Sequence, residues 1–66
     1  MEYAVYWYTD KRDNGVEFFY SDETTPSVLD LNYETKLRVN EERGFKMSDI
    51  RIDRIENERG CYYQSS

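Results

Sequence analysis

Sixty-six residues, a net charge of −5, no histidine and one cysteine leave room for one small domain, expected to span residues 1–66 with a frayed tail at 64–66. An internal disulfide needs a second cysteine, and one cysteine with no histidine cannot furnish a closed zinc site, so no metal or other cofactor is expected. No apolar run reaches 7 residues, which argues against a secretory leader and a transmembrane helix and points to the cytoplasm.

A chain of this size buries only about 60% of its unfolded surface, so its core must be efficient. Val, Ile and Leu together number 10, against 7 Tyr, 3 Phe and 1 Trp. An aromatic side chain buries roughly 150–250 Å², and disordered chains are depleted in such residues. The composition therefore predicts a folded domain built on aromatic packing. Seven tyrosines exceed what so small a core can hide, so some must lie at the surface.

Taken in chain order, Tyr3 to Tyr8 reads as a strand. Tyr3, Val5 and Trp7 share one face, and Ala4, Tyr6 and Tyr8 the other. Val16 to Tyr20 reads as a second strand, with Val16, Phe18 and Tyr20 on one face and Glu17 and Phe19 on the other. A tight turn at Asn14-Gly15 would waste the apolar pattern. A longer loop over 9–14 pairs Trp7 with Val16, Val5 with Phe18 and Tyr3 with Tyr20, which gathers six apolar side chains on one face. This is the expected register.

Thr25 before Pro26, or Asp30, offers a helix N-cap. From Val28 to Arg43, Leu29, Tyr33 and Leu37 recur at helical spacing, flanked by Val28 and Val39. Gly44 followed by Phe45 reads as a helix exit, with Arg38 and Arg43 near that end. The same stretch also alternates with period two, but an unbroken strand of that length would be long for a small domain. Ile50 and Ile52 alternate and Ile55 falls out of step, so a strand with a phase break near Asp53-Arg54 is expected. A turn at Asn57–Gly60 then leads to a short strand at Cys61–Tyr63. The predicted fold is α+β: a small antiparallel sheet with one helix on one face, in the order β-β-α-β with a further short strand. A five-stranded all-β barrel is the alternative. It draws on a weak echo, in which residues 38–44 resemble residues 54–60 at five of seven positions.

Catalysis is not expected. Histidine is missing as a general base, and Cys61 lacks an imidazole to activate it. Adjacent carboxylates at Asp22-Glu23 and Glu41-Glu42 read as solvated surface. The segment Asp10–Gly15 fails the calcium-loop pattern, because the positions that need oxygen ligands fall on Arg12 and Ser21. Three scattered glycines make no phosphate loop.

Nucleic acid is not expected as a partner, since a pI of about 4.6 repels phosphate. The acidity is uneven. Residues 1–35 carry 2 basic and 8 acidic side chains, and residues 36–66 carry 7 and 6. With a helix covering one face of the hairpin, the expected register leaves Tyr6, Tyr8 and Phe19 on the other. Asp10, Glu17, Asp22 and Glu23 would rim them. Aromatic anchors with a charged rim describe a protein-binding surface. In format, as a very small, acidic, aromatic-rich domain without catalytic chemistry, the chain resembles the small inhibitors and regulators that bacteriophages encode, a likeness of type rather than of motif.

The expected function is a non-enzymatic binding module that inhibits or regulates a larger protein with a basic surface. One alternative is a homo-oligomeric structural protein whose aromatic face closes on itself. Another is a DNA mimic that sets carboxylates where phosphates would lie in its target's groove.

Overall fold

A computed structural model describes residues 1–65. The chain runs β1 (Glu2–Tyr8), β2 (Asn14–Tyr20), α1 (Val28–Arg43), a 3-10 turn at Met47–Asp49, β3 (Arg51–Asn57) and β4 (Gly60–Gln64). All strand pairs are antiparallel, and the order across the sheet is β2-β1-β3-β4. The sheet does not close, so the fold is the small α+β arrangement and not the barrel. The two segments of the sequence echo have no common structure. Residues 38–44 end the helix, whereas residues 54–60 run through β3 into a hairpin.

β1 sits in the middle of the sheet and supplies the core. Tyr3, Val5 and Trp7 are each at most 2% exposed. They meet Leu31 and Val39 of the helix and Ile50, Ile52 and Ile55 from the chain at and before β3. Burying aromatic and branched side chains from each layer is what joins helix to sheet.

The β1–β2 register differs from the expected one by one residue. Tyr3 stands opposite Phe19, Val5 opposite Glu17 and Trp7 opposite Gly15. The reason lies in the turn. Thr9 N–H donates to the Asp13 carbonyl at 2.8 Å, and Arg12 N–H to the Thr9 carbonyl at 3.2 Å. That leaves a three-residue connection with Arg12 in the left-handed region at φ 71°, the geometry of a turn followed by a one-residue bulge. Asn14 and Gly15 are therefore strand residues. Shifting a strand by one residue sends every side chain to the other face. Val16, Phe18 and Tyr20 point away from the helix, and Glu17 and Phe19 point towards it.

The helix has the expected limits. Its N-cap is Ser27, not Thr25 or Asp30: Ser27 Oγ accepts from Asp30 N–H at 3.3 Å, satisfying one of the donors orphaned in the first turn. Gly44 ends it in the left-handed region at φ 78°, with its N–H on the Asn40 carbonyl, as the sequence predicts. The buried stripe is Leu31, Thr35 and Val39 rather than Leu29, Tyr33 and Leu37. Thr35 is fully buried and donates its hydroxyl to the Leu31 carbonyl at 2.7 Å. Leu29 is 80% exposed. Apolar residues lie on both sides of this helix, and the stripe carrying a self-satisfied threonine is the one the sheet covers.

The phase break in β3 is a bulge. Tyr6 pairs with Arg54 and Trp7 with Ile52, which leaves Asp53 unopposed. The extra residue returns Ile52 and Ile55 to the same face. A second bulge in β4 leaves Tyr62 unopposed. Tyr62 packs edge-on against Tyr3, with ring centroids 5.0 Å apart. Gln64 pairs with Arg54, and Ser65 N–H donates to the Asp53 carbonyl, so these two residues of the expected frayed tail are held. Ser66 lies outside the described residues.

Candidate functional site

The face of the sheet turned away from α1 carries Ala4, Tyr6 and Tyr8 from β1 and Val16, Phe18 and Tyr20 from β2. Cross-strand neighbours there are Ala4 with Phe18, Tyr6 with Val16 and Tyr8 with Asn14. Phe18 is 56% exposed and Tyr20 is 74% exposed. A one-sided antiparallel sheet ordinarily turns polar side chains to water. Here the edge strand presents an aromatic surface instead.

On the β3 side the aromatic surface meets charge. The Arg54 guanidinium lies 3.9 Å from the centre of the Tyr6 ring, a cation–π stack. Two carboxylates hold it there, Asp53 at 2.6 Å and Glu56 at 2.9 Å. Their hydrogen bonds, Glu56's first, keep the guanidinium proton bound more firmly than usual. Arg54 thus acts as a flat lid on Tyr6 with its charge answered locally. Between Tyr6, Tyr8, Asn14, Asp53 and Arg54 lies a shallow groove of about 280 Å³.

Of the residues expected to bind a partner, Tyr6 and Tyr8 lie on this open face. Phe19 does not. It packs towards the core, with the Arg38 guanidinium 4.2 Å over its ring. Glu17 also turns to the helix side, where Arg38 lies 3.5 Å from its carboxylate. Asp10 sits at the hairpin tip and pairs with Arg51 at 3.1 Å. Asp22 and Glu23 follow β2 at its opposite end, roughly 20 Å away at the rise of an extended strand. Asp10 and the Asp22–Glu23 pair thus sit at opposite ends of the face, the pair beside Tyr20, while Glu17 lies behind it. Val16, Phe18 and Tyr20 belong to the face and not to the core, because the register is shifted by one residue from the one the apolar pattern favours. No signal in the sequence marks them, because Gly15, which reads as a turn residue, in fact makes room for the Trp7 ring.

Cys61 is exposed on β4. Among the described residues no group of three or more Cys, Asp or Glu side chains is placed to hold a metal ion, and no helix is long and apolar enough to cross a membrane. The fold and this face define a small α+β domain with one open aromatic sheet surface. Comparison with family models, curated proteins and solved structures finds no match.

Proposed function

We propose that this protein is a non-enzymatic binding module, an inhibitor or regulator of a larger protein, and that it docks through the open face of the sheet. The observation that supports this reading is the exposure of Phe18 and Tyr20 beside Tyr6, Tyr8 and Val16 on a face the helix leaves bare. Aromatic side chains with few rotatable bonds supply large contact area at low entropic cost, and such residues dominate binding energy at interfaces. Acid concentrated in the first half of the chain would speed encounter with a basic partner. An exposed, unpaired Cys61 suits a reducing compartment, which supports a cytoplasmic reading.

The test is a tagged pulldown from a lysate of the source cell, with the variant Tyr8→Ala/Phe18→Ala alongside. One stoichiometric partner is expected, retained in about 0.5 M NaCl, where exposed charge pairs are heavily screened. It should be lost with the variant while the circular dichroism spectrum is unchanged. Equal capture by the folded variant would overturn the placement of the docking face. Absence of a partner, with a stable dimer in light scattering, would overturn the module in favour of self-assembly.

A further inference from the structure

On the reading that this is a binding module, we infer that the free edge of β2 pairs with an extended segment of its partner, and that this segment alternates basic and apolar side chains.

The hydrogen bonds of the hairpin fix which backbone groups are free. Met1 and Ser21 exchange both of theirs, at 2.9 and 3.0 Å, and Thr9 donates to Asp13 at 2.8 Å. In an antiparallel ladder such exchanging pairs alternate with pairs whose groups point outward. The odd-numbered residues of β2 therefore bond to β1. The even-numbered residues Asn14, Val16, Phe18 and Tyr20 direct N–H and C=O away from the sheet. β2 is the outermost strand on that side. Among the described residues only Arg38 reaches this edge, donating from Nη1 to the Phe18 carbonyl at 3.0 Å.

Proteins normally blunt open edges with short strands, bulges or proline. β4 is blunted in this way, with 5 residues and a bulge at Tyr62. β2 is not. Its 7 residues pair with β1 without interruption. An added strand would turn alternate side chains to the two sides of the sheet. One set would lie beside Val16, Phe18 and Tyr20. The other would lie on the helix side, where Phe19, Glu23, Asp30 and Glu34 line a groove of about 200 Å³ beside Tyr20. Near Phe18 the helix side is taken by Arg38, already paired with Glu17. Towards Tyr20 it is carboxylate. Apolar contact on one side and acid on the other therefore select a segment that alternates apolar and basic side chains, with its basic residues at the Tyr20 end.

A second copy fits this edge less well. Pairing of two β2 strands over their full length places Glu17 directly across from the other copy's Glu17, and like charges opposite one another are destabilising.

The probe is a blocked, labelled peptide of about eight residues alternating Lys and Val, long enough to span the edge. A Glu–Val peptide is the control. Amide exchange by NMR should slow at Val16, Phe18 and Tyr20 by about tenfold or more when the Lys–Val peptide is bound, as strand addition requires. Val16→Pro removes one outward N–H and no ladder bond. It should weaken binding by about tenfold, the order of one charge-free hydrogen bond with its neighbours disturbed. Glu23→Lys/Glu34→Lys leaves the edge intact and should also weaken it. The inference is overturned if the Lys–Val peptide fails to bind, if the Glu–Val peptide binds as well, or if protection falls on β4. It is also overturned if a folded Val16→Pro binds like wild type. A cellular partner lost with Tyr8→Ala/Phe18→Ala but kept by Val16→Pro would leave the docking face standing and remove strand addition alone. One kept by both would remove both.

Discussion

The Trp7 ring lies over Gly15 so closely that a Cβ on the glycine would stand 2.7 Å from Cζ2. The two residues are direct partners across β1 and β2. The indole is 2% exposed, with the Phe45 ring centroid 6.0 Å away and the Arg43 guanidinium 5.3 Å from its own. Replacing glycine by alanine in a strand ordinarily helps, by roughly 0.5–1 kcal/mol, because the unfolded chain loses freedom. Here the sign should reverse. Gly15→Ala is expected to destabilise by about 1–3 kcal/mol through overpacking and to shift the tryptophan emission. Denaturant unfolding followed by fluorescence measures both; a stabilised variant would show that the indole has room to move.

Arg12 adopts a positive φ without a glycine's freedom. An L-residue in that region costs roughly 1–2 kcal/mol. Arg12→Gly should therefore raise the urea midpoint by the equivalent of about 0.5–1 kcal/mol, since glycine also loses more entropy on folding. Arg12→Ala, with the same Cβ, should give no gain. Equal midpoints for the two variants would place the conformational cost elsewhere in the hairpin.

Tyr62 joins β4 to the segment before the helix. Its hydroxyl donates to the Pro26 carbonyl at 2.5 Å. Burial first, and then the nearby Tyr3 and Glu23, push its phenol above the ordinary value. The folded state thus resists ionisation more than the unfolded one. Its contribution to stability is complete below about pH 10, the usual phenol value, and is lost as pH rises through the higher native value. Tyr62→Phe should lower stability at neutral pH through the missing hydrogen bond to Pro26. The variant should then lose less stability than wild type on going from neutral pH to above about pH 10. Denaturant midpoints at three pH values give the comparison; parallel losses would mean that the other tyrosines govern alkaline unfolding.

The two apolar stripes of α1 make opposite expectations. Leu31→Ala, in the covered stripe, should cost about 2–5 kcal/mol. Leu29→Glu, on the exposed side, should fall within about 0.5 kcal/mol of wild type. Thermal unfolding of the pair decides which side the sheet covers.

That contrast shows what was legible in the chain and what was not. The limits of α1 could be read, because Gly44 and Phe45 mark its exit whichever face is buried. Its orientation could not. Leu29, Tyr33 and Leu37 make a better apolar stripe on paper than Leu31, Thr35 and Val39, and only the local bond from Thr35 to Leu31 makes the second one buriable. The break at Asp53 was legible because Ile52 and Ile55 fall out of step, and the bulge is the physical form of that break. The hairpin register was not legible. It depends on Arg12 taking a conformation its residue type does not announce, while Gly15, which looks like a turn residue, serves Trp7. From that single step follows the outcome at the candidate site: Tyr6 and Tyr8, placed by β1 alone, are where the sequence puts them, whereas Phe18 and Phe19 exchange sides.

The central place of β1 has a further consequence for how the chain comes into being. β1 is separated from its partner β3 by β2 and α1, so Val5 meets Ile55 only after both of those elements have been made. The hairpin and helix are synthesised earlier, but until β3 arrives Trp7 has no Ile52 beside it and the inner edge of β1 stands open. A chain stopped before Arg51 lacks Ile52 and Ile55 and leaves β1 paired on one side alone. Only once β3 has been made does this domain hold the isoleucines that close its core over Trp7 and Val5.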